Sequence, residues 1–141
     1  MYTVKRILFV CVENSCRSQM AEGLANALGK NILEAFSAGS KPSGKVNPLA
    51  IEAMKEIGID ISQSTSKGFN DLPKIKFDYA ITLGCKDHCP FIPAANHIEW
   101  DIDDPSGKDI VFFRKTRDQI KENLTIFIKE KIDRRRPAYR R

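Results

Sequence analysis

An α/β domain with an open parallel sheet is the fold class that the sequence predicts, and three observations carry the prediction. Short apolar, β-rich runs alternate with amphipathic helical periods along the 141 residues. Polar loops rich in Gly, Pro and Ser separate them. The residues able to do chemistry, Cys11, Cys85 and Asp104, each follow a predicted strand, and ligands of such sheets bind beyond the carboxyl ends of the strands.

Val4 to Val10 (VKRILFV) reads as a buried central strand ending at Cys11. Ser18 to Leu28 then places Met20, Leu24 and Leu28 four residues apart on a helical face, with Gly29 as a stop. Ile32 to Ala38 is a second strand, and the loop GSKPSGK leads to a helix capped by Asn47 with Pro48 at its first position. Ala50, Ala53, Met54 and Ile57 form its apolar face before Gly58. Residues 62–76 read as irregular with room for one short helix. Phe77 to Leu83 is a strand that delivers Cys85, and His97 to Trp100 a shorter one that delivers Asp101, Asp103 and Asp104. A long amphipathic helix over 108–132, with Ile110, Phe113, Ile120, Leu124, Phe127, Ile128 and Ile132 near one face, closes an expected four-stranded sheet with helices on both faces.

Composition limits the function classes. With 42% apolar and 29% charged residues the chain has enough of both for one packed core. No apolar run reaches the roughly 18 residues of a membrane span, and the start MYTVKRILFVCVEN lacks the cleavage region of a secretory signal. A cytoplasmic protein is expected. The net charge of +5 suggests nucleic acid, but the segment at 134–141, RRRPAYRR, holds five arginines and no acid, and without it the body is neutral. The expectation is a catalytic domain at 1–133 with a solvated basic tail at 134–141, and no nucleic acid or membrane partner.

The four cysteines form two close pairs, Cys11 with Cys16 and Cys85 with Cys89. In a chain without export signals such pairs point to catalytic, redox or metal chemistry. Residues 11–17 read CVENSCR with Ser18 and a helix immediately after. If the loop wraps with its N–H groups inward, the backbone of Glu13, Asn14, Ser15 and Cys16 forms a nest over a positive helix end, suited to a tetrahedral oxyanion. Arg17 then holds two oxygens through its planar fork. The same surroundings favour thiolate at Cys11, the nucleophile. Ser18 is placed to donate to that sulfur, Asn14 to brace the loop, and the Glu13 carboxylate to point outward, since inward it would repel an anion. A buried Cys11 beside a surface Arg17, and a structural zinc held by both cysteine pairs, are the competing readings of these residues.

The stretch CVENSCRSQMAE at the end of the first strand resembles the low-molecular-weight protein tyrosine phosphatase superfamily and, within it, the arsenate reductases. FSAGSKPSGKVNPLAIEAMKEIGIDIS, FDYAITLGC, the second cysteine before Pro90 and WDIDDP extend the likeness to nearly the whole chain. It implies a flavodoxin-like fold and no cofactor. It makes Asp104, followed by the rigid Pro105, the general acid, and Cys16 a secondary, bystander cysteine. It makes Cys85 the thiol that attacks Cys11 to expel arsenite, and Cys89 the one that takes over the disulfide, which an external dithiol protein, usually thioredoxin, then reduces. Lys86 and His88 would favour thiolates there, and His97 reads as a strand residue.

Two departures qualify the likeness. The pair in CKDHC is closer than in well-studied thioredoxin-coupled members, leaving glutaredoxin or another thiol system open as the reductant. Some members hold potassium near the cradle through oxygen ligands that include an acid where this chain has Lys67, so the expectation is an ammonium in place of the ion, with Asn14, Glu22 and Ser37 as polar neighbours, and no potassium dependence. An arsenate reductase is the expected function; a phosphatase using Cys11, Arg17 and Asp104 alone, and a zinc-binding or redox-sensing module, are the alternatives.

Overall fold

The computed structural model describes residues 4–84 and 92–133. Cys85, Lys86, His88, Cys89 and the arginine tail lie outside them, so the expectations placed on those residues rest on sequence. Strand β1 spans Lys5–Cys11, helix α1 Arg17–Leu28, strand β2 Leu33–Gly39 and helix α2 Pro48–Lys55. A one-turn 3-10 helix at Phe69–Asp71 precedes β3 at Tyr79–Leu83 and β4 at Asn96–Trp100, and α3 runs over Ile110–Phe127 into a π turn at Ile128–Ile132.

The four strands form one parallel sheet in the order β2-β1-β3-β4. From β1 the chain winds to one side to lay down β2, then crosses to the other for β3 and β4. The winding therefore reverses beside β1, and the crevice beyond its carboxyl end is where such sheets bind ligands. As a central strand β1 is buried on both faces, with Ile7, Leu8, Phe9 and Val10 fully inaccessible.

Both faces are covered, but where helices were expected on each, the three α-helices of the described residues share one face and the 3-10 turn with irregular chain covers the other. Ile7, Phe9 and Ile81 share a core with Met20 and Leu24 of α1, Ala53 and Met54 of α2, and Phe113, Ile120 and Leu124 of α3. On the opposite face Leu8, Val10 and Ala38 pack against Phe69, Leu72, Ile75 and Phe77, from the 3-10 turn and the irregular segment after it. Between α2 and α3, Glu56 takes a two-pronged bond from Arg114 (Nη2 to Oε2, 2.8 Å) and one from Arg117 (2.9 Å). Arg117 also donates to the Ala53 carbonyl at 2.7 Å.

Asn47 caps α2 as expected, accepting from the Leu49 N–H at 2.9 Å. Two helix expectations need correction. Leu28 is 41% exposed rather than part of the apolar face, because eight residues of α-helix turn a side chain about 80° away from its starting direction; Ala21 and Ala25 complete the buried stripe. Helix α3 starts at Ile110 rather than 108, where Gly107 adopts φ +82 and Asp109 caps the Phe112 N–H at 3.2 Å. No helix among the described residues is long and apolar enough to cross a membrane.

Candidate active site

Cys11 is the last residue of β1 and is 2% exposed. The loop that follows is gripped from outside by its carbonyls. Val12 accepts from the Lys41 N–H (2.8 Å), Glu13 from Ser43 N–H (3.1 Å) and the Ser66 hydroxyl (2.8 Å), and Ser15 from Asn47 N–H (3.0 Å). With the carbonyls turned out, the N–H groups of Glu13 to Arg17 find no acceptor among the described residues. That is the polarity of an anion nest. Helix α1 adds to it, because its N-cap residue Cys16 makes no side-chain cap and its first turn carries no acid.

Two backbone features hold the loop this tightly. Asn14 sits at φ +52, in the left-handed region that Asn tolerates better than most residues. Gly39, at the end of β2, has no room for a side chain: a Cβ there would lie 2.5 Å from the Val12 oxygen and 2.8 Å from the Asn14 nitrogen.

Polar atoms behind the loop fix the direction of the hydrogen bond to sulfur. The Lys67 N–H donates to Asn14 Oδ1 at 2.8 Å, so the other end of that amide, Nδ2, is the one that meets Ser18 Oγ at 2.7 Å. Ser18 thereby accepts from Asn14 and has its own proton for Cys11 Sγ, 2.9 Å away. The Ser18 hydroxyl is thus aimed at the Cys11 sulfur from the inner side of the loop.

Arg17 is 6% exposed. Its Nη1 donates to the carbonyls of Leu83 (2.7 Å) and Ile102 (3.2 Å), Nη2 lies 3.6 Å from Asp104 Oδ2, and buried Nε has no partner among the described residues. The backbone bonds aim the guanidinium at the cradle and leave donors for an oxyanion. A cleft of about 180 Å³ is lined by Cys11, Val12, Glu13, Ser15, Cys16, Arg17, Asp104 and Ser106. Val12, Arg17 and Asp104 also line a second cleft of about 310 Å³ that reaches Gly84, Asp101 and Asp103.

A family model described as Low molecular weight phosphotyrosine protein phosphatase matches residues 6–138. The chain belongs to this family. An arsenate reductase of Staphylococcus epidermidis is 45% identical over 127 residues, covering 87% of this chain and 95% of the relative. A glutaredoxin arsenate reductase of Synechocystis is 40% identical, covering 86% and 94%. Among solved structures, an arsenate reductase in the phosphate binding state superposes with a TM-score of 0.81 at 37% identity, over 90% of this chain and 98% of the other. A thioredoxin-dependent arsenate reductase of Corynebacterium glutamicum gives 0.73 at 31% identity, over 89% of this chain and 61% of the other.

Of the residues expected at the site, Cys11, Arg17, Ser18 and Asp104 stand together, and Asn14, Ser15 and Cys16 shape the loop. Glu13 is exposed, consistent with an outward carboxylate. Cys16 is 4% exposed, and burial, followed by the nearby Asp104 charge, pushes its thiol up to about 12. It is a neutral thiol at physiological pH and a poor nucleophile. Lys67 Nζ lies 3.7 Å from Glu22 Oε1 and donates to the Thr65 carbonyl at 3.0 Å, while the Ser37 hydroxyl bonds the same Glu22 oxygen. An ammonium thus stands among these oxygens. His97, expected as a strand residue, lies on β4 and pairs with the Ile92 carbonyl at 2.5 Å.

Three residues went unnoticed in the sequence. Gln19 bonds the back of the cradle, and Gly39 and Gly84 make room for it. The glycines carried a weak signal, each following a predicted strand; Gln19 stands inside CVENSCRSQMAE, but its residue type assigned it no role.

Proposed function

We propose that this chain is an arsenate reductase in which Cys11, Cys85 and Cys89 act in turn. The observation that carries the proposal is the bond from Arg17 to the Leu83 carbonyl. The residue that would hold the oxyanion is anchored on the end of β3, and CKDHC begins two residues later. A phosphate ester is hydrolysed without a second thiol, whereas reducing arsenate requires two electrons, which two thiolates becoming a disulfide provide.

Arsenate, a tetrahedral anion like phosphate, would be held by the inward N–H groups and Arg17. The Cys11 thiolate attacks arsenic(V) and forms an S–As bond; an As–O bond breaks, and Asp104 gives a proton so that the oxygen leaves as water. The Cys85 thiolate then attacks the Cys11 sulfur. The S–As pair stays on arsenic, which departs as arsenite, now arsenic(III), and a Cys11–Cys85 disulfide remains. Cys89 attacks Cys85, Cys11 leaves as thiolate, and the disulfide rests between Cys85 and Cys89. A dithiol protein restores that pair by exchange. Thioredoxin is the proposed partner, with glutaredoxin the alternative; the relatives' names include one of each.

Arsenate-dependent NADPH oxidation with thioredoxin and its reductase, and in parallel with glutathione, glutaredoxin and glutathione reductase, tests the proposal. Turnover is expected in one system and its loss in Cys11→Ser, Cys85→Ser and Cys89→Ser. Full turnover in Cys85→Ser would contradict the relay. Slow aryl phosphatase activity is compatible with both enzyme readings, because Cys11, Arg17 and Asp104 suffice for it.

A further inference from the structure

Gln19 is 1% exposed and lies behind the cradle, where it would touch no substrate. Its Nε2 faces three oxygens: Asn14 Oδ1 at 2.8 Å, the Thr65 carbonyl at 2.9 Å and the Asn14 carbonyl at 3.3 Å. Three acceptors require a donor, so the amide has one orientation. Its Oε1 is buried without a partner among the described residues. Leaving that oxygen unsatisfied costs free energy, so packing alone would be better met by an apolar side chain.

We propose that Gln19 is a positioning residue for the nucleophile. Together with the Lys67 N–H it holds Asn14 Oδ1 turned away from Ser18. Nδ2 is then presented to Ser18 Oγ, and the Ser18 proton is directed onto Cys11 Sγ. The second Nε2 proton ties the cradle to Thr65, so Gln19 adds to the Lys67 N–H a second hold on the Asn14 amide and anchors its position. Without it, only the Lys67 N–H holds Asn14 Oδ1; the amide is freer to rotate, Ser18 to turn its proton to the amide oxygen, and the sulfur to lose its donor for part of the time. Charged groups around Cys11 stay in place meanwhile: Arg17, Asp104 and Glu13 line the same cleft, and Lys67 and Glu22 pair behind it.

The inference rests on Cys11 being the nucleophile of the proposed function, but its test needs no arsenate. Alkylation of Cys11 by iodoacetamide, resolved from the other cysteines by mass spectrometry, is followed against pH in wild type, Gln19→Met and Gln19→Glu. Met keeps the volume without the donor, and Glu sets an acceptor against three oxygens. The alkylation midpoint is expected to rise by about 0.5 to 1 pH unit in Gln19→Met and at least as far in Gln19→Glu. A folded Gln19→Met or Gln19→Glu protein with an unchanged midpoint overturns the proposal. In wild type, the Gln19 side-chain amide observed by 15N NMR is expected to shift in step with Cys11 titration; an amide that stays still overturns it without any substitution. Should arsenate turnover fail while the alkylation shift holds, the reductase reading falls and this inference stands.

Discussion

Arg17 and Gly84 are packed so closely that a Cβ on Gly84 would lie 2.7 Å from Arg17 Nη1 and 2.4 Å from the Ile102 oxygen. Both atoms are partners in the bond that aims the guanidinium at the cradle. Gly84→Ala therefore brings two penalties, a left-handed backbone at φ +76 and displacement of Arg17. Gly58→Ala serves as the control, since Gly58 has φ +82 and open space around its Cα. Each substitution is expected to cost about 1–3 kcal/mol in chemical denaturation from backbone strain. Only Gly84→Ala is expected to reduce kcat/KM for arsenate, by about tenfold or more, as a misplaced binding group does.

Cys16 lines the cleft but is buried and protonated, so its sulfur is expected to be dispensable. Cys16→Ala should keep arsenate turnover within about threefold of wild type and lose about 1 kcal/mol of stability from the small cavity. Loss of turnover comparable to that of Cys11→Ser would return Cys16 to the chemistry.

Much of this arrangement was legible along the chain, and what was not has a common cause. Strand, tight loop and helix around Cys11 follow from local periodicity and the spacing of CVENSCRS, and Asn47–Pro48 announces α2 by its cap. Ser18, Asn14 and Lys67 could be placed because they lie in motifs. Gln19, Gly39 and Gly84 act through contacts with Thr65, Val12 and Ile102, whose main-chain oxygens are brought near only by the assembled sheet. Backbone acceptors leave no mark on residue type. The outward face of Leu28 and the π turn at Ile128–Ile132 depend likewise on how the helices lie, not on apolar spacing alone.

Lys67 carries its charge among the oxygens behind the cradle, 3.7 Å from Glu22. A potassium ion would meet that ammonium as a like charge. Melting temperature and the KM for arsenate are therefore expected to be the same in potassium and sodium chloride at equal ionic strength. A clear gain in either with potassium would contradict the assignment.

The Glu56 carboxyl is held below its ordinary value of 4.5, first by the bond from Arg114 and then by Arg117. A carboxylate depressed in the folded state stabilises it above the unfolded-state value, and that contribution fades as pH falls through the folded one. Glu56→Gln is expected to be less stable than wild type at pH 7. The gap should narrow below pH 4.5. A gap that stays constant from neutral to acid pH would show that the carboxylate charge is not what joins α2 to α3.

The central claim is that the two electrons given to arsenic come from the cysteines of this chain. Fully reduced protein, freed of external thiol and mixed with excess arsenate, is expected to release about one arsenite per chain and stop, leaving a disulfide that peptide mapping finds between Cys85 and Cys89. Cys89→Ser should give the same arsenite yield with the disulfide held at Cys11 and Cys85. Absence of arsenite, with Cys85 and Cys89 still reduced, would contradict the account.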